Sequence, residues 1–171
     1  VIDVQGKLAG MMHDHLYLRH IQGMIRAVQI LDIPVLLTEQ APEKIGPTVE
    51  ALHAMTPGIR PVVKQTFSCC AEPNFMAAFK NVHRKQVIVT GIEAHVCVYQ
   101  TVRDLLKANY EVYLVADAVS SRSAVDKDMG VHRCEREGAI LITLEMGITE
   151  LIRSTKHPKF REIMKLLKES K

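Results

Sequence analysis

Cys97 lies in the stretch VIVTGIEAHVCVYQT, residues 87–101. A run of β-branched residues ends at Gly91, and helical spacing takes over after His95. The cysteine therefore stands where a buried strand has just become a helix. Unpaired N–H groups and the helix dipole favour an anion there. That position predicts a thiol that ionises more readily than a free one, and the thiolate is the reactive form. Two further residues are out of character with their surroundings. Asp3 interrupts the apolar run VIDV, and a buried carboxylate must be paired or protonated. Lys64 follows Pro-Val-Val and precedes Gln-Thr-Phe, yet lysine almost never goes inside unpaired. If these two face one another in the crevice that holds Cys97, a base, a cation and a nucleophile converge. The same residues also read as a plain buried ion pair and a small core hydrophobe. The residue types alone leave both readings open.

Such a crevice needs elements to build it. Short, nearly all-apolar segments at 1–5, 34–40, 61–68, 86–91, 110–118 and 139–143 read as strands. Between and after them, apolar spacing predicts helices over 13–31, 72–82, 95–109, 124–137, 145–153 and 157–169, with one short helical piece in the loop 41–52. Apolar strands separated by helices mark a parallel sheet covered on both faces. Right-handed crossovers then give a doubly wound, three-layer α/β fold of about six strands in one domain, 1–171. In that architecture ligands bind beyond the carboxyl ends of the strands, where strand order reverses. The polar residues at those ends are Asp3, Gln5, Thr38, Glu39, Gln40, Lys64, the GIEAHVC segment and Asp117. Asp117 is expected to cap its loop through backbone hydrogen bonds.

Composition narrows the class. The chain has 171 residues, 47% apolar and 24% charged, which suits one soluble globular domain. No apolar run approaches the roughly 20 residues a membrane helix needs. Neither GxGxxG nor a P-loop is spelled out, which argues against dinucleotide or nucleoside-triphosphate chemistry. The net charge of +3 is concentrated late: residues 153–171 hold seven Lys or Arg and two Glu, a local balance of +5. This reads as the solvated face of a surface helix, with contact to an anionic partner as the other reading. Cys69, Cys70, Cys97 and Cys134 form no CxxC pair, so reduced thiols and a cytoplasmic setting are expected. Val1 reads as mid-strand, which leaves room for an upstream targeting segment.

Taken together, VIDVQ, KQTFS, TGIEAHVCVYQT and VYLVADAVSSRS resemble the isochorismatase-like cysteine hydrolases. TEQAPEKIGPTV and HPKFREIMKLL are similar to the small eukaryotic isochorismatase-domain proteins within that family. The resemblance implies a catalytic triad of Asp3, Lys64 and Cys97. It implies a non-proline cis peptide at Ile92–Glu93, with the backbone N–H groups of Glu93 and Cys97 as an oxyanion hole. It further implies a small-molecule substrate and a homo-oligomer, a dimer or larger. Family members that hold a metal do so through Asp-x-His after the second strand. Here that place reads TEQAP, so neither a bound metal nor a cofactor is expected, and nicotinamide is disfavoured as substrate. Isochorismate hydrolysis is associated with members that lack the cysteine, so Cys97 points instead to an amide or related acyl bond.

Gln40, Phe67, His95 and Tyr99 are candidate pocket residues, though each suits ordinary packing equally. His13, His15, His20 and His53 read as surface or helix-face residues, and Cys69, Cys70 and Cys134 as structural. Besides a metal-independent cysteine hydrolase, two other functions fit the chain. One is a quiescent binding or scaffold protein of the same fold. The other is a nucleic-acid protein or nuclease using the basic C-terminus; it lacks a carboxylate cluster and an aromatic stripe for bases.

Overall fold

The structure, a computed structural model, describes residues 1–170. In chain order the elements are α1 (Gly6–Ala9), α2 (Leu16–Ile30), β1 (Thr38–Gln40), α3 (Pro42–Ile45), α4 (Glu50–His53), β2 (Val62–Lys64) and α5 (Pro73–Asn81). They continue with β3 (Gln86–Ile92), α6 (Tyr99–Lys107), β4 (Glu111–Ser120), α7 (Ala124–Arg136), β5 (Ile140–Ile142), α8 (Leu144–Ile152) and α9 (Phe160–Glu169). A 3-10 turn covers Cys69–Ala71, and a π-helical turn covers Ala94–Val98 just before α6.

Every paired strand is parallel. β1 runs beside β2, and β3, β4 and β5 form a second set. Ile2 joins the two sets, bridging Thr38 on one side and Gly91 on the other. The lateral order is β2-β1-Ile2-β3-β4-β5, with the reversal between the N-terminal segment and β3, as in other doubly wound sheets. Two apolar layers cover it. α2, α8 and α9 bring Ile21, Ile25, Ile148 and Ile163 onto one face with Val115 and Ile142. α5, α6 and α7 bring Phe75, Val102, Leu105 and Cys134 onto the other with Val89 and Leu114.

The sheet departs from the six expected strands in its first member. VIDVQ does not run as a strand, because Asp3 takes a φ of 51°. Aspartate tolerates that left-handed conformation, and it turns the chain out of the sheet one residue after the Ile2 bridges. The third segment, 61–68, holds its strand at Val62–Lys64. The loop 41–52 holds two single-turn helices where one was expected.

Two glycines set how closely the pieces around the N-terminal segment and the π-helical turn can pack. Gly91 has φ +126°, and a Cβ there would lie 2.1 Å from the Ile2 carbonyl oxygen. Gly130 lets α7 lie directly on the π-helical turn, where a Cβ would meet the Ala94 carbonyl carbon and His95 nitrogen at 2.6 Å. In both cases the obstacle is backbone, which cannot swing aside. Gly91→Ala is therefore expected to destabilise by about 3 kcal/mol or more, and Gly130→Ala by about 1–3 kcal/mol. Urea unfolding of the two variants against wild type checks both values.

Candidate active site

The three residues singled out by type do meet. Asp3 follows the Ile2 bridges, Lys64 ends β2, and Cys97 sits in the π-helical turn after β3. All three lie at carboxyl ends of sheet elements, on both sides of the reversal in strand order. Asp3 and Lys64 are each 1% exposed, and Cys97 is 8% exposed.

The Lys64 ammonium donates to Asp3 Oδ2 at 2.6 Å and to Gln40 Oε1 at 2.8 Å. It also reaches the carbonyls of Thr66 at 3.0 Å and Phe67 at 3.2 Å. Those carbonyls are available because the chain turns beneath Lys64 instead of continuing as a strand. An ammonium has three protons, and four acceptors surround this one. Lys64 therefore acts by its charge and by fixing its neighbours, with no proton left over for a ligand. The other Asp3 oxygen, Oδ1, accepts from the Thr38 hydroxyl at 2.7 Å.

Cys97 faces this pair. Burial, first, and then the Asp3 carboxylate push its thiol well above the usual range, while the Lys64 charge opposes them. The expectation of an easily ionised thiol is thus corrected. Cys97 does not stand at a free helix start: it is the fourth residue of a turn packed beneath α7, and desolvation outweighs the helix dipole. Cys97 is held towards the thiol form, with a carboxylate beside it. Cys70 and Cys134 are likewise pushed up to about 12 by burial.

The turn that carries Cys97 is held from several directions. The Ile92–Glu93 peptide is cis, as expected. The Glu93 carbonyl accepts from Val96 N at 3.1 Å and from Val98 N at 3.2 Å, and the second contact makes the π-type turn. Such turns recur at functional sites. The Glu93 carboxylate, buried, accepts from the Arg122 backbone N–H at 3.2 Å and from its Nε at 3.1 Å. His95 Nδ1 lies 3.0 Å from the hydroxyl of the fully buried Ser121.

The other named candidates separate. Gln40 is held at the triad by Lys64, and its backbone N–H donates to Gln5 Oε1 at 2.7 Å. Phe67 gives its carbonyl to Lys64 while its side chain stays exposed. Tyr99 has partners of another kind: its ring lies between Arg103 and Arg133, and its hydroxyl donates to Glu137 at 3.1 Å. Asp117 caps α8, accepting from Leu144 N at 2.8 Å. His13 and His20 bond the backbone carbonyls of Ser121 and Asp117 at 3.0 and 2.8 Å. Arg122 and Ser121 carry parts of this site that sequence reasoning passed over. Their signal was the polar run SSRS at the end of a long apolar strand.

Size does not locate the chemistry. A cavity of about 1210 Å³, lined by Val35, Gln86, Lys85, Glu111 and Arg153 towards the amino ends of the strands, touches none of Asp3, Lys64 and Cys97. The buried polar constellation identifies the site; the volume does not.

Comparison with known proteins agrees with this architecture. Residues 1–146 match the isochorismatase domain. The isochorismatase domain-containing protein 2A of Mus musculus is 43% identical over 147 residues, covering 85% of this chain and 69% of that protein. A solved MAR1 ribonuclease from Caenorhabditis elegans is 39% identical with a TM-score of 0.90, over 97% of this chain and 86% of that one. The Escherichia coli YcaC gene product, described as an octameric hydrolase of unknown specificity, shares the fold at 21% identity, with a TM-score of 0.86 over 99% of this chain and 92% of that one. With its parallel sheet, its buried Asp3–Lys64 pair and Cys97 at the switch point, the chain belongs to the isochorismatase family.

Proposed function

We propose that the protein is a cysteine hydrolase that cleaves an amide or related acyl bond of a small molecule through Asp3, Lys64 and Cys97. One observation carries this reading. A carboxylate whose two oxygens are already held by Lys64 and Thr38 faces a thiol kept protonated by its surroundings. A base of fixed orientation beside a protonated nucleophile is an arrangement for transferring a proton during attack.

The steps follow from the residues. Asp3 takes the proton from Cys97 Sγ as sulfur bonds to the substrate carbonyl carbon. The carbonyl electrons move onto oxygen, which accepts hydrogen bonds from the N–H groups of Glu93 and Cys97. The tetrahedral adduct collapses, the C–N bond breaks, and the proton on Asp3 leaves with the amine. A water molecule then attacks the thioester, giving its proton to Asp3. The C–S bond breaks, and the proton returns to sulfur. Lys64, donating to Asp3 Oδ2, fixes that carboxylate and faces it with a positive charge. A neutral carboxamide suits that centre, since no cationic donor there is free for a substrate anion.

The ribonuclease description of the Caenorhabditis elegans relative favours a second reading, cleavage of RNA, with the exposed basic residues between Arg153 and Lys168 as the backbone contact. Among the described residues, no three His, Cys, Asp or Glu side chains gather as a metal cage. Phosphodiester cleavage would therefore need a route other than two-metal catalysis.

Two measurements test these readings. Ammonia release from a panel of small primary amides is expected from wild type and to fall about a thousandfold or more in Cys97→Ala. Equal release from both proteins removes the nucleophile. RNA cleavage that survives Cys97→Ala and weakens steeply with salt puts the second reading first. Iodoacetamide labelling, followed residue by residue in a mass spectrometer, examines the base directly. Asp3→Asn removes the proton acceptor and also the carboxylate charge that helps to hold the thiol up, so Cys97 labelling at neutral pH that slows about tenfold or more identifies Asp3 as the base, and labelling that speeds up identifies it as a charge alone. Cys70 labelling is expected to stay unchanged.

A further inference from the structure

A strut of hydrogen bonds runs from the helix after the nucleophile back to the base. Thr101 on α6 is buried, and its hydroxyl accepts from the Cys69 backbone N–H at 3.0 Å. The Cys69 thiol, fully buried, donates to Thr38 Oγ1 at 3.8 Å. Thr38, 2% exposed, donates to Asp3 Oδ1 at 2.7 Å. A hydroxyl has one proton. Since Thr38 accepts from Cys69, its own proton is committed to Asp3. The backbone closes the same link from the other side, because Asp3 N donates to the Thr38 carbonyl at 3.2 Å.

We propose that Thr38 is a positioning residue for the Asp3 carboxylate, oriented in turn by the Cys69 thiol. This rests on the cysteine-hydrolase reading. Lys64 holds Oδ2 from β2, and Thr38 holds Oδ1 from β1. Two donors on different strands fix the plane of the carboxylate, so its remaining lone pairs keep one direction. One donor alone would leave it free to turn about the Cβ–Cγ bond. Thr38 also stabilises the charged carboxylate against the protonated one, because a hydrogen bond to the charged form favours that form. The other charged or titratable groups facing Asp3 are Lys64, Cys97 and Cys69. Changing the threonine leaves the contacts between Lys64 and Asp3 in place and removes the acceptor of the Cys69 thiol. Cys69, which reads from sequence as a structural cysteine, thereby gains a role two bonds from the base.

The test is the pH profile of Cys97 labelling by iodoacetamide in the full chain. Wild type, Asp3→Asn, Thr38→Val and Thr38→Ser are compared, with thermal unfolding measured alongside. Labelling rises first where the Asp3–Cys97 pair loses its first proton. Thr38→Val is expected to move that rise up by about one pH unit, the size of a lost hydrogen bond to a charged group. Thr38→Ser keeps the hydroxyl and is expected to stay within about twofold of wild type at every pH. A purely structural threonine would lower the melting temperature and leave the rise where it was. If Thr38→Val superimposes on wild type while Asp3→Asn does not, the role of Thr38 is overturned and the base stands. If Asp3→Asn also superimposes, the base assignment itself fails, and Thr38 with it. Should Thr38→Val not fold, Thr38→Ala replaces it with the same expectation.

Discussion

The buried pair of Asp3 and Lys64 is the constraint around which this end of the molecule is built. Two charges removed from water cost several kcal/mol each, recovered only with close geometry and further hydrogen bonds. The chain provides both. Asp3 takes a left-handed backbone conformation and leaves the sheet. The 65–68 segment abandons its strand and offers two carbonyls to the ammonium. Thr38 and Gln40, alternate residues of one short strand, turn inward to complete the shell. A packed apolar substitute is often as stable as such a pair, so stability alone does not account for it. The arrangement makes sense around a third group, and Cys97 is the group that faces it.

Burial has opposite meanings for the three members. Asp3 and Lys64 neutralise one another and stay charged in a dry setting. Cys97 has no cation of its own and keeps its proton. A permanently ionised thiol would be open to oxidants and stray electrophiles at all times. A thiol that gives up its proton to a neighbouring carboxylate only as it attacks carries less of that exposure. The reactive form is then tied to an electrophile placed against the sulfur.

Much of this was legible in the chain, for reasons that differ by residue. The layered parallel sheet follows from apolar runs too short for membrane helices and too continuous for half-exposed strands. Asp3 and Lys64 stand out because charge inside an apolar run is expensive. The break of the first strand at Asp3 was hidden, since a positive φ at aspartate leaves no mark in residue order. The carbonyl shell around Lys64 was hidden for a related reason: KQTFS looks equally good as strand or turn, and the ammonium decides. The Cys97 thiol was misjudged because a helix start is a local feature, whereas desolvation by α7 and the sheet is a tertiary one. Tyr99 was placed near the pocket by its nearness in sequence, and Arg133 and Glu137 on α7 draw it elsewhere.

Ile2 is the residue that stitches β1 to β3, and the site straddles that stitch. Asp3, Thr38, Gln40 and Lys64 belong to one side of the seam, and Glu93 and Cys97 to the other. Ile2 N donates to the Thr90 carbonyl and its own carbonyl accepts from Ile92 N, both at 2.9 Å, while Asp3 N donates to the Thr38 carbonyl at 3.2 Å, so the placement of Asp3 relative to Cys97 hangs on the backbone pairing of two consecutive residues.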